Sequence, residues 1–206
     1  MTSAAGPGEP LLIATTNRGK AREIAAALAM QAVRFVALDD AGIEAVCPET
    51  EKTLAANARA KAEFYSRRSG LLTLAEDSGL EIKVLGGEPG VRSARFSGPK
   101  ATDAKNVSKV LRLLASVPRS GRRARFVCAM ALARNGRIVA EARGVVRGTI
   151  AVGPKGTAGF GYDPIFYYHP RGKTFAELSP EEKNAVSHRG RALAAMKVRL
   201  RRFLSK

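Results

Sequence analysis

In Leu71-Leu72-Thr73-Leu74-Ala75-Glu76-Asp77-Ser78-Gly79 an apolar, strand-like run gives way to two carboxylates, a hydroxyl and a glycine. Carboxylates at the end of a buried strand cost desolvation free energy unless something compensates them. At the carboxyl edge of an α/β sheet the compensating group is often a metal ion, a substrate or a reacting water. The alternative is a polar loop capping the next element. Gly79 reads as the residue that turns the backbone sharply after the carboxylates.

Three further stretches carry chemistry suited to a flat, phosphorylated ligand. Ala14-Thr15-Thr16-Asn17-Arg18-Gly19-Lys20 runs from a strand into a helix. It approaches a P-loop but has Ala14 in place of the first glycine and Ala21 in place of the hydroxyl residue. Free N–H groups, a helix N-terminus and a lysine still converge there, which suits phosphate. In Gly159-Phe160-Gly161-Tyr162-Asp163-Pro164 an aromatic ring lies between two glycines. Either a flat ligand stacks on Phe160, or the ring is buried by a tight turn. Asp163 offers an acceptor for N–H groups of a base. Ser187-His188-Arg189, with Lys183 about one turn earlier, supplies donors toward a carbonyl oxygen or a solvated face of a basic helix.

The elements that must hold these residues follow from periodicity. Leu11–Thr15 reads as a buried strand, followed by an Ala-rich helix to about Met30 and a second strand over Arg34–Leu38. Glu51–Arg68 reads as a helix with Leu54, Ala58 and Ala62 on one face. Strands are expected at Leu71–Ala75 and Glu81–Leu85, then a helix capped by Thr102 or Asp103 with Val107, Val110, Leu111 and Leu114 inward. Asn135-Gly136 joins Arg125–Arg134 to Arg137–Arg147 as a hairpin. Ile165–Tyr168 is a short strand. Ser179-Pro180-Glu181-Glu182 is a capping box, and Ser187 is placed to cap a final helix. The pattern is an α/β fold with a mixed sheet and flanking helices.

The chain of 206 residues, 45% hydrophobic, is read as one domain over 11–206 behind a flexible tail at 1–10. The segment from Met1 to Pro10 lacks the basic start and apolar block of a secretory signal, and no apolar run reaches the length of a membrane span. Cys47 and Cys128 are far apart and outside metal-ligand spacings, which with the absence of a signal points to the cytoplasm. The net charge of +17 is spread over clusters such as Arg119, Arg122, Arg123 and Arg125, and no acid follows Glu182. Few aromatics interleave with them, so a solvated basic face is expected rather than a base-stacking surface, with no specific nucleic-acid partner.

From Leu11 to Leu204 the chain resembles the inosine/xanthosine triphosphate pyrophosphatases, the Ham1-like family. The resemblance rests on ordered segments: Ala14–Glu23; Asn57 with Lys61; Ala75–Leu80; Leu85–Phe96; Gly159–Phe166; Lys173–Leu178; and Glu181–Asn184 with Ser187–Arg189. It implies a long central mixed sheet with flanking helices and two lobes, with the nucleotide in the cleft between them. It also implies a homodimer and Mg²⁺-dependent hydrolysis of ITP, dITP and XTP to monophosphate and pyrophosphate. Thr15, Asn17 and Lys20 would hold the triphosphate, with Thr16, Arg18 and Gly19 among the contacts. Asp77 would bind Mg²⁺ and activate water, with Glu49 a second metal carboxylate and Lys61 helping to place the phosphates or the water. Ser78 would touch the substrate, Phe160 would stack on the purine beside Gly161 and Tyr162, and Asp163, Lys183, His188 and Arg189 would read its edge. Glu76 departs from the Asp of many relatives, which leaves its role open. A pyrimidine-directed pyrophosphatase and a nucleic-acid-binding protein are the rivals. Substrate-resolved pyrophosphate release separates the first, and salt-dependent binding without hydrolysis the second.

Overall fold

A computed structural model describes residues 8–28, 30 and 32–205. Residues 1–7 of the expected tail lie outside the described set. Glu9 and Pro10 are not tail: they open strand β1 (Glu9–Ala14) and pair with Val33 and Arg34 of β2 (Val33–Val36). Helix α1 (Arg18–Leu28) connects these two parallel strands, and α2 (Leu54–Ser69) leads from β2 to β3 (Leu72–Ile82), which pairs in parallel with β1. The remaining elements are α3 (Asp103–Leu113), β4 (Arg123–Arg134), β5 (Arg137–Ile150), β6 (Phe166–Tyr168), β7 (Lys173–Thr174), α4 (Pro180–Val186) and α5 (His188–Leu204). The seven strands form one sheet in the order β2-β1-β3-β4-β5-β6-β7, with antiparallel pairing at β5–β6 and β6–β7. The sheet is therefore mixed, as the alternation of elements predicts. No helix among the described residues is long and apolar enough to cross a membrane.

The chain forms two compact units. The first comprises the described residues within Met1–Asp77, Ala129–Arg143 and Ala192–Lys206. Its interior is aliphatic, with Leu11, Leu12, Ile24, Leu28, Leu72 and Leu74 at most 1% exposed. Thr53 starts α2 by accepting from the Ala56 N–H, and Gly70 ends it in the left-handed conformation. The second unit comprises Ser78–Cys128 and Gly144–Arg191, and its core is aromatic: Phe126, Phe166 and Phe175 pack at centroid distances of 4.6 to 6.0 Å. Asn135 and Gly136 both take positive φ at the β4–β5 turn, as the hairpin signal requires. α4 and α5 are separate helices, and Ser187 accepts from the Gly190 N–H at the start of α5.

Three further expectations are corrected. The strand over Leu71–Ala75 does not end at the carboxylates; β3 continues through Glu76-Asp77-Ser78-Gly79 to Ile82. Gly79 is needed for close approach rather than for a turn, because a Cβ there would run into the Gly90 carbonyl and the Ser93 Oγ. Arg122 is not part of a solvated face but 5% exposed. Its guanidinium donates to the carbonyls of Val117 (3.0 Å), Ala151 (3.1 Å) and Leu114 (2.6 Å), closing the C-terminus of α3. Arg122→Met fills similar volume but orphans three carbonyls, so it is expected to lower the unfolding free energy by about 2–4 kcal/mol in urea titrations. A loss below about 0.5 kcal/mol, the size of an ordinary surface change, would show that these carbonyls find other partners.

Candidate active site

Two groups of polar residues stand out, one in each unit. In the first, β1 delivers the chain into Thr15-Thr16-Asn17 and then α1. Asn17 caps the helix, its Oδ1 accepting from the Lys20 N–H at 3.0 Å, while Thr15 Oγ1 accepts from the Asn17 N–H at 3.2 Å. Each bond uses one lone pair, and the Thr15 hydroxyl proton and Asn17 Nδ2 remain as donors. Thr16 is exposed, and Arg18 and Gly19 open the first turn of α1. Lys20 Nζ lies 2.6 Å from Glu76 Oε1, whose side chain is fully buried. Glu76 thus holds the loop lysine, a role its position in sequence did not disclose.

One residue further along β3, Asp77 is 5% exposed and gripped from α2. Its Oδ2 accepts from Asn57 Nδ2 at 3.0 Å and its Oδ1 lies 3.4 Å from Lys61 Nζ. Asn57 and Lys61 are four residues apart and so share a helix face. Lys61 Nζ also donates to Glu49 Oε1 at 2.8 Å, so one ammonium bridges two carboxylates. Burial pushes the Asp77 carboxyl above its ordinary range, with Lys61 opposing the shift and the Glu49 charge adding to it. Burial pulls Lys61 down, but the Asp77 and Glu49 carboxylates outweigh it and its net shift is upward. The loop bearing Glu49 has no regular structure and is tied to α2 three times. Lys61 meets Glu49, Asn57 Oδ1 accepts from the Glu51 N–H at 3.1 Å, and Tyr65 Oη accepts from the Cys47 N–H at 3.1 Å.

In the second unit, Phe160 is half-buried rather than sealed in a turn. Asp163 Oδ2 accepts from the Phe160 N–H at 2.9 Å, and Gly159, at φ +78°, admits that carboxylate where a Cβ would strike it. Lys183 Nζ lies 2.6 Å from Asp163 Oδ2, with both side chains almost fully buried. The same ammonium stands 4.6 Å from the centre of the Phe160 ring, and the Arg189 guanidinium stands 5.4 Å from it. Arg189, 2% exposed, also donates to Ser78 Oγ at 3.1 Å. His188 is packed flat on Phe126, 4.6 Å between centroids and 10° between planes. Tyr162 does not belong with the exposed residues of its loop. It is part of the core, and its hydroxyl donates to the Ser93 carbonyl at 2.8 Å, because only the polar tip of the ring needs a partner once the rest is buried.

Residues 11–199 match the Ham1 family. The chain is a member of that family. It is 49% identical to a dITP/XTP pyrophosphatase of Geobacillus kaustophilus over 186 residues, 90% of this chain and 91% of the relative. A HAM1 protein from Coxiella burnetii superposes with a TM-score of 0.86 at 39% identity, covering 94% of this chain and 99% of that one. The Staphylococcus aureus Ham1 protein gives 0.85 at 34% identity, covering 95% and 100%. The mixed sheet expected of a Ham1 chain is therefore present. Asn57 carries a role that its sequence pairing with Lys61 does not specify: it is the Asp77 partner. The signal in the sequence is a polar pair one helical turn apart on α2.

Proposed function

We propose that the chain hydrolyses the non-canonical purine nucleoside triphosphates ITP, dITP and XTP to the monophosphate and pyrophosphate. The observation that carries this reading is the pair of buried cationic donors, Lys183 and Arg189, at the face of Phe160. In this proposal a purine stacks on Phe160 and the two cations, displaced from the ring face, turn to its edge. Hypoxanthine and xanthine present a 6-oxo acceptor, whereas adenine presents a 6-amino donor and leaves cationic donors unsatisfied. A site built around such a hydrogen bond can reject the mismatched analogue by large factors. The name of the Geobacillus relative, a dITP/XTP pyrophosphatase, agrees.

In this proposal Thr15, Asn17 and Lys20 hold the triphosphate, and Asp77 receives the proton of a water whose oxygen attacks the α-phosphorus. The bond from the α-phosphorus to its bridging oxygen breaks and pyrophosphate leaves. Lys61 fixes the Asp77 carboxylate and offsets charge that gathers on the phosphates. The donor set suits Mg²⁺. Asp77 and Glu49 are hard oxygen ligands already drawn to one ammonium, and Mg²⁺ needs only one or two carboxylates beside phosphate and water oxygens. Among the described residues no cluster of three acidic, histidine or cysteine ligands forms, so such an ion would depend on the substrate to complete its shell. When bound it would screen the triphosphate and lower the barrier to water attack. Glu76 serves as the partner of Lys20 rather than as a second base. We carry the implied homodimer into the proposal as the working assembly.

The test is pyrophosphate release from ITP, dITP, XTP, GTP, ATP and a modified dUTP, each with and without Mg²⁺. The three non-canonical purines should be hydrolysed at least about a hundredfold more efficiently than ATP, and only with Mg²⁺. Preference for the pyrimidine, or equal rates on ATP, would overturn the assignment.

A further inference from the structure

The base-reading loop is held from an unexpected direction. Sequence offers both Thr102 and Asp103 as the cap of α3, and the fold settles the competition: Thr102 Oγ1 accepts from the Lys105 N–H at 3.3 Å. That leaves the Asp103 carboxylate at the first helical position for another task. Its Oδ2 accepts from the Gly161 N–H at 2.7 Å, across 58 residues of chain and from an exposed side chain. The preceding N–H, that of Phe160, goes to Asp163. Two consecutive backbone donors, flanking the Phe160 side chain, are therefore each taken by a carboxylate, one local and one from α3.

Packing holds the Tyr162 side of the loop, whose ring is in the core, but not Gly161 itself. A Cβ built on Gly161 would meet nothing within 4 Å. Beside Gly161 is an open pocket of about 670 Å³, lined largely by apolar surface, with Ala104, Val107 and Leu111 of α3 and Pro154 and Pro164 among its walls. An apolar lining offers the Gly161 N–H no partner, whereas a charge-assisted hydrogen bond fixes its direction. Asp103 and Gly161 are both among the residues that line that pocket.

We infer that Asp103 is a positioning residue for purine binding, fixing the Gly161 amide and through it the plane of Phe160. This rests on the proposal that Phe160 stacks on the base. Asp103 touches neither the phosphates nor the attacking water in that proposal, so its loss should appear in substrate affinity rather than in the chemical step.

The experiment compares Asp103→Ala, Asp103→Asn and Phe160→Ala by steady-state pyrophosphate release from ITP and by thermal melting. Asp103→Ala should raise KM for ITP about tenfold, the scale of one hydrogen bond to a charged acceptor, with kcat within about twofold. Asp103→Asn keeps an acceptor oxygen and should recover most of that loss, and all three variants should melt close to the parent. If Phe160→Ala raises KM but Asp103→Ala does not, the positioning role is wrong. If Asp103→Ala lowers kcat and melting temperature together and Asp103→Asn fails to rescue, the residue is structural and the inference also falls. If Phe160→Ala leaves KM unchanged, it is the stacking proposal itself that fails.

Discussion

Asp77→Asn should leave a folded protein whose kcat for ITP is reduced by roughly 10²–10⁴-fold, the usual worth of a positioned proton acceptor. The substitution keeps the shape of the side chain and an oxygen for Asn57 Nδ2 or Lys61 Nζ to reach. It removes the negative charge that would take up the water proton and help hold the metal. Stability should not suffer in proportion. Burial raises the Asp77 carboxyl above its ordinary range, so the native state binds that proton more tightly than the unfolded chain does. Ionising it therefore costs native stability as pH climbs through the native pKa, and a neutral amide is free of that cost. Lys61 loses one partner and keeps Glu49. Kinetics and a melting curve at neutral pH check both halves: near-parent turnover would remove Asp77 from the chemistry, and loss of the fold would make it a structural carboxylate.

Lys183→Met should be the most damaging single change in the second unit. The Lys183–Asp163 pair is buried at 5% and 3% side-chain exposure with a 2.6 Å contact. Removing one member of a buried pair leaves its partner's charge uncompensated, typically at about 3–5 kcal/mol. For a chain of this size that is a fall in melting temperature of roughly 10 °C. Adding Asp163→Asn removes the stranded charge while leaving an oxygen for the Phe160 N–H, so the double variant should regain most of the lost stability. It should not regain discrimination between ITP and ATP, because the cation at the Phe160 face is still missing. A single variant as stable as the parent, or a double variant no better than the single, would show that the pair is not what holds this loop.

Much of this was readable in the chain because the signals were local. The hairpin at Asn135-Gly136, the capping box at Ser179 and the break at Ser187 each depend on a few adjacent residues whose backbone chemistry has one good solution. The site residues on one helix face, Asn57 and Lys61, were visible as a pair, but their target was not, since Asp77 is 20 residues from Asn57 in sequence. Glu76-Asp77 misled in a specific way. Charged residues after an apolar run look like the end of a strand, yet here each carboxylate is matched by a lysine, so the strand proceeds through them. Tyr162 shows the opposite case: its neighbours along the chain are Gly161 and Asp163, so no local signal marks the burial of its ring in a core assembled from distant elements. Arg122 could not be told from Arg123 by composition, and only the three carbonyls that converge on it distinguish them.

The three ties between α2 and the Glu49 loop have a dynamic corollary. The loop has no ladder or helix of its own to hold it, and Lys61, Asn57 and Tyr65 sit on successive turns of one helix. Local opening of α2 would release all three at once, so helix and loop should behave as one cooperative unit of the native ensemble. Asp77 would lose both of its α2 partners in the same event. The carboxylates proposed for metal and water would thus be assembled or dispersed together, and a half-built centre with one of them in place would be a rare state of the protein.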